Sequence, residues 1–187
     1  MVRTRFFRGD RNFMTTSAEL RPLLQGLSKT DFDILSLEDE IRVDRRCVDL
    51  LHHLFQDLTV QQGLSPEQAG ELCHGADYFL REFIVADRRA NLFHTEDMHV
   101  RQFAGHWYII RTPEPNLSEL RVILAGTAEF FQLLGRQGLV AADVVAAIAA
   151  QCRELDYYQQ RIDAFWTIER DGYDAWRQAC PLEPATG

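Results

Sequence analysis

Apolar residues three, four and seven apart recur along almost the whole chain, and no run alternates apolar with polar residues as a half-buried strand would. That spacing gathers apolar side chains on one face of a helix, and such faces are buried by packing helix on helix. The clearest local signal is Ser65-Pro66-Glu67-Gln68. It supplies a capping hydroxyl, a proline at the first helical position and a glutamine placed to answer the cap. Leu72, Ala76, Phe79, Leu80 and Phe83 then form one apolar face up to about Arg88.

The same signals place the other elements. A first helix is expected from Ser17 to Gln25, ended by Gly26, and residues 31–37 form a connector of undefined shape. Ser36, with Asp39 three residues on, caps a helix whose inward stripe is Ile41, Val48, Leu51, Phe55 and Leu58, with Gly63 as its stop. Thr95 opens a helix carrying Val100, Phe103, Trp107 and Ile110 inward. Pro113 and Pro115 end it, because proline lacks the amide and blocks the preceding turn.

Asn116 and Glu119 cap a helix bearing Leu117, Leu120, Leu124, Phe131 and Leu134, closed by Gly135 and Gly138. A long helix is expected from Ala141 to Glu169, with Ile148, Cys152, Leu155, Ile162 and Phe165 inward. Gly172 separates it from a short turn bearing Tyr173 and Trp176, and Pro181 ends the fold. Short connections favour antiparallel neighbours. The expectation is an all-α antiparallel bundle of about six helices with a long C-terminal helix. Residues 14–187 form one domain behind a basic arm, 1–13.

A chain of 187 residues can bury a core without staples. Its net charge is −8, but residues 1–13 carry Arg3, Arg5, Arg8 and Arg11 against Asp10. Met14 opens a second natural-looking start, so the arm reads as an over-long start or a disordered tail. The acidic remainder repels phosphate at long range, which disfavours nucleic acid as a partner. No apolar run approaches the ~20 residues of a membrane span, and no signal-peptide order is present. A soluble, cytoplasmic protein with no membrane association is expected. Cys47, Cys73, Cys152 and Cys180 form no C-x-x-C pair and read as small buried hydrophobes. Lys29 is the only lysine, a bias that reflects genome composition more than chemistry.

Few residues suggest chemistry. Two Glu-x-x-His pairs, Glu71/His74 and Glu96/His99, have the spacing used in di-iron bundles. Projection turns the first pair toward solvent, opposite Leu72 and Phe79. The pairs also start consecutive antiparallel helices, roughly 20 Å or more apart at the helical rise; bridged metals need ~4 Å. His94, Glu96 and His99 are the remaining metal candidates. His94 precedes the helix and His99 lies in its first turn, so the two share no face, and acidic residues 96 and 97 suit the helix dipole. The dense histidine pattern of hemerythrin-like carriers is not present. No phosphate loop follows a strand and no Gly-x-Ser-x-Gly elbow occurs. No catalytic residue is assigned and no cofactor is expected.

The C-terminal aromatics are more suggestive. Tyr157, Trp166, Tyr173 and Trp176 are the anchor candidates of this group; Tyr157 and Trp166 project at different angles, and exposed Tyr and Trp often anchor protein partners. The alternative is packing between the last two helices, where Phe165 belongs. Arg88 and Arg89 end a helix, where the dipole favours cations; contact with an acidic partner is their other reading.

From Thr95 to about Ile148 the chain shows a V-x-x-F-x-x-x-W helix, a Ser-led second helix, F-F-x-x-L and a G-L-V turn. This third of the chain resembles a helical module of uncharacterised bacterial all-α proteins. It is also similar to the helical core-binding domain of tyrosine recombinases, which clamps DNA. The resemblance implies a helical fold. It carries over no catalytic residue, because the recombinase catalytic domain has no counterpart here. The segment is also net acidic, with Arg101, Arg111, Arg121 and Arg136 against six carboxylates including Glu114 and Glu129.

The function these features favour is protein interaction or regulation without catalysis, through an unidentified protein partner. The alternatives are a small-molecule or metal-dependent pocket near His99, His106 or Tyr108, and nucleic-acid association through the arm and Arg88-Arg89.

Overall fold

The computed structural model describes residues 27–182. The arm 1–13 and the expected helix at Ser17–Gln25 lie outside the described residues. The described chain is all helix, with seven helices and no strand among the described residues. They are α1 (Leu37–Gln56), α2 (Pro66–Asp77), α3 (Asp97–Gln102), α4 (Leu117–Arg136), α5 (Ala142–Gln151), α6 (Leu155–Trp166) and α7 (Gly172–Gln178). Turns at Lys29–Phe32 and Leu92–His94 complete the connections. No described helix is long and apolar enough to cross a membrane.

The caps follow the sequence closely. Ser36 Oγ accepts from the Asp39 amide, Asn116 Oδ1 accepts from the Glu119 amide, and Ser65 and Gln68 form a complete capping box. At the end of α4, Gly138 adopts φ 70°, which turns the Leu139 amide back to the Leu134 carbonyl at 2.9 Å. Helix α3 starts two residues later than Thr95, which is buried ahead of it.

Three helices continue into wider turns that hydrogen-bond five residues apart. These run over Asp57–Gln61 after α1, Tyr78–Asp87 after α2 and Phe103–Trp107 within the α3 rod, which ends as ordinary helix at Tyr108–Arg111. Each wide turn holds an extra residue and rotates the inward face. On the α3 rod every residue from Gln102 to Ile109 is buried, while Ile110, projected inward by an even helical period, is 38% exposed. The α1 stripe also differs from expectation. Val43, Cys47, Leu50, Leu51, Leu54 and Leu58 are buried, Val48 and Phe55 are half-buried, and Ile41 is exposed.

The expected helix from Ala141 to Glu169 is two helices. The chain breaks at Cys152–Glu154, where the Leu155 amide reaches the Arg153 carbonyl, and ends again at Trp166. The break is tied across by Tyr158, whose hydroxyl donates to the Gln151 carbonyl and accepts from the Gln151 side chain. A straight helix would not bring these groups together seven residues apart.

Among the described residues, helices α2 and α4 form the most extensive contact. Gly75 lies against Val122 and Ile123, and Gly126 against Leu72 and Ala76, so the two helices run antiparallel. A methyl group on Gly126 would sit 2.0 Å from the Leu72 carbonyl oxygen; one on Gly75 would sit 2.6 Å from that of Val122. Helix α1 covers one side of this pair. On the other, Phe79 and Phe83 pack on Phe103 of the α3 rod, with ring centroids 5.1 and 5.5 Å away. Helices α5 and α6 close over the far side of that rod, and α7 packs on α6.

Gly126→Ala should destabilise the protein by about 2–3 kcal/mol, since backbone cannot yield as a side chain does. Gly70→Ala on the same α2 helix meets nothing within 4 Å and should stabilise by up to ~1 kcal/mol. Urea midpoints of the two variants moving in the same direction would contradict this packing.

Candidate functional site

The α3 rod is buried from Gln102 to Ile109, so its polar groups there must find partners within the fold. Two of these partners come from the C-terminal helices. Arg161 of α6, 7% exposed, donates from Nε to the Gly105 carbonyl at 2.9 Å and from Nη2 to the Trp176 carbonyl at 2.7 Å. Its guanidinium lies 4.1 Å from the Trp176 ring centroid, and the indole N–H donates back to the Arg161 carbonyl at 3.0 Å. No described carboxylate pairs with Arg161. Burial lowers its pKa, and carbonyls and an indole face stand where an ion-pair partner would.

His106 is the second tie. Its ring is 2% exposed, and Nδ1 lies 2.5 Å from the Cys180 carbonyl. A carbonyl only accepts, so Nδ1 carries the proton and Nε2 of the neutral ring is an acceptor. Burial lowers the His106 pKa, against the pull of that carbonyl, and the positive charges of Arg161, Arg177 and Arg88 lower it further. His106 lies in the wall of a cleft of about 350 Å³, with Tyr173, Arg177 and Gln178. Ile110, Pro181 and Leu182 supply the apolar lining.

An aromatic chain runs from this cleft over the surface. Trp176 meets His106 edge-on at 5.1 Å, Tyr173 stacked at 6.0 Å and Phe165 at 5.2 Å; Phe165 meets Trp166 at 5.7 Å. The two ends are open, Trp166 at 56% exposure and Tyr173 at 42%. The middle is not. Trp176 is buried, which corrects its placement among the exposed anchors: its indole is taken up by Arg161 and the end of the α3 rod. Tyr157 is half-buried, with the Arg101 guanidinium 3.9 Å from its ring centroid.

The other candidates are spoken for or dispersed. Arg88 pairs with Asp87 and lies over Phe83 at 5.6 Å. Arg89, left-handed at φ 51°, follows the wide turn Tyr78–Asp87 and approaches Glu40 at 3.6 Å. His99 Nδ1 accepts from the Glu96 amide at 3.1 Å and so caps α3. Among the described residues no three His, Cys, Asp or Glu side chains gather as a metal site, and His94, Glu96 and His99 are not brought together as one. Glu71 and His74 are exposed, as their projection requires. All four cysteines are buried and unpaired, and burial pushes the Cys47, Cys73 and Cys152 thiols up to about 12, leaving them protonated at neutral pH.

Arg161 and Arg177 are the functional residues that the sequence reading passed over. Arg161 carries a signal: it stands three residues after Tyr158 and four before Phe165, within the apolar stripe of α6. Arg177 carries none, because it only becomes part of a site when α7 folds back on the α3 rod.

No protein-family model matches the chain, and neither a curated protein nor a solved structure matches it.

His106 and His53 both have pKa values lowered from 6.5, by burial first. The unfolded chain therefore takes up protons before the folded one. The folded state holds its full stability above pH 6.5 and loses it as the pH falls below that value. Urea midpoints should drop between pH 7 and pH 5, and less in His106→Gln. A midpoint that rises on acidification would show these rings to be charged in the fold.

Proposed function

We propose that this protein is a non-catalytic interaction module whose docking face is the aromatic and basic surface of α6, α7 and the end of the α3 rod. The observation that carries this reading is the unbroken aromatic chain from Trp166 to Tyr173. Its exposed ends flank a buried, hydrogen-bonded centre, so they are held rigidly at little entropic cost on binding. Arg177 lines the adjoining cleft, and Arg161 and Arg88 add positive field at His106 in its wall, on an otherwise acidic protein. An anionic, partly apolar segment of a protein partner complements that surface. Unpaired, buried thiols suit a reducing compartment, which supports a cytoplasmic setting.

The test is capture of the partner from the native host, followed by titration of the two purified proteins. Trp166→Ala with Tyr173→Ala should weaken a one-to-one complex at least tenfold while leaving circular dichroism and melting unchanged. Undiminished affinity in that double variant would remove this face from the reading. Trp176→Ala should instead cost ~3–5 kcal/mol of stability, as large buried aromatics do.

A further inference from the structure

The cleft beside His106 has a chemical character beyond exposed aromatics, and the following inference rests on the interaction reading above. We propose that the cleft takes a carboxylate carried on an apolar segment of the partner, held between Arg177 and Nε2 of His106, with binding and protonation of His106 favouring one another.

The geometry of His106 is the first support. Its Nδ1 proton is committed to the Cys180 carbonyl, and Nε2 has no partner among the described residues. A ring that is 98% removed from solvent thus brings an unused acceptor to the wall of an open cleft. A carboxylate is itself only an acceptor, so it can bond to Nε2 only when that atom gains a proton.

The surrounding charges are the second support. The groups facing His106 are Arg161 from α6, Arg177 from α7 and Arg88 from the end of the wide turn after α2, all cationic. Arg161 is spent on two backbone carbonyls and supplies field without contact. Arg177 is available: its ion pair is Asp174 at 3.5 Å, and both side chains are largely in water. In the empty cleft three guanidiniums oppose protonation of His106. An added carboxylate offsets that repulsion and gives the imidazolium a charge-assisted hydrogen bond. Tyr173 lines the same space as His106 and Arg177.

The apolar walls select the bearer of the carboxylate. Ile110, Pro181 and Leu182 line the same space, and Tyr173 joins it to the aromatic chain. A free inorganic anion would leave those surfaces wet, whereas an apolar segment ending in or carrying a carboxylate covers them.

The test uses ¹⁵N imidazole spectra of the full chain with three probes: N-acetylphenylalanine, its neutral amide and inorganic phosphate. N-acetylphenylalanine should raise the His106 midpoint by about one unit, which makes binding up to about tenfold tighter at pH 5 than at pH 7.5. It should also move the Trp166 and Tyr173 signals, and the amide should do neither. His106→Gln, whose amide can still donate to the Cys180 carbonyl, should bind with no pH dependence. Arg177→Gln should weaken binding at least tenfold at both pH values. Should His106→Gln fail to fold, the ring titration of the unmodified protein decides alone. Binding that moves Trp166 and Tyr173 but is independent of pH overturns the coupling to protonation and leaves the interaction face standing. No response at His106, Trp166 or Tyr173 overturns both. Phosphate that shifts His106 as strongly as N-acetylphenylalanine overturns the partner-borne source.

Discussion

Where α2 and α4 cross, Gly75 and Gly126 let the two backbones approach until a methyl on either would overlap main-chain atoms of the other. Side chains normally hold packed helices 8–10 Å apart. Here the glycines, with small buried residues such as Ala69, Cys73 and Ala76, leave no side chain to hold the pair apart at the crossing. The close pair is too thin to cover Phe79, Phe83, Phe130 and Phe131 on its own. These rings project past the crossing and are covered by α1 and the α3 rod. The tight contact therefore decides where the third layer must stand.

The third layer explains the site. A rod buried from Gln102 to Ile109 cannot leave its polar groups to water, so Gly105 and His106 must bond to something brought from outside. The break at Cys152–Glu154 directs α6 across the rod and sets Arg161 on the Gly105 carbonyl. The turn at Thr167–Asp171 returns α7, which brings Trp176 to Arg161 and the Cys180 carbonyl to His106. Satisfying the rod is thus what assembles the cleft. The aromatic chain is rigid for the same reason, since its central member holds a buried arginine in place.

Helix starts and stops were legible in the sequence because they depend on contacts within four residues: Ser36 with Asp39, Ser65 with Gln68, Asn116 with Glu119. Which face points inward was legible only where the helix keeps an even period. The wide turn after α3 shifts that period, which is why Ile110 lies exposed and Tyr108 is buried. The break before α6 carries neither glycine nor proline; Cys152-Arg153-Glu154 could continue a helix, and tertiary packing ends it. Of the two aromatics singled out by projection angle, Trp166 is exposed and Tyr157 is half-buried under Arg101. Trp176 could not be told from them, because what buries it comes from residues 105 and 161. His106 stood with His99 and Tyr108 as a pocket candidate, and nothing in the sequence set it apart from them. Its tautomer, and therefore its free acceptor, is a property of the folded neighbourhood.

A net charge of −8 and an anion-seeking cleft are compatible because they act over different distances. At physiological ionic strength exposed charges are screened beyond about 8 Å, so the acidic body exerts only a weak field on an approaching partner. The charged side chain lining the cleft is Arg177, and the guanidiniums of Arg161 and Arg88 add positive field at His106 in its wall. The long-range field does not favour an anionic partner, so its encounter is not accelerated. Discrimination falls on the contact itself, where a carboxylate meets cations and a proton acceptor while its apolar bearer meets Ile110, Leu182 and the ring of Tyr173. A surface built in this way separates anions by what carries them, which charge alone cannot do.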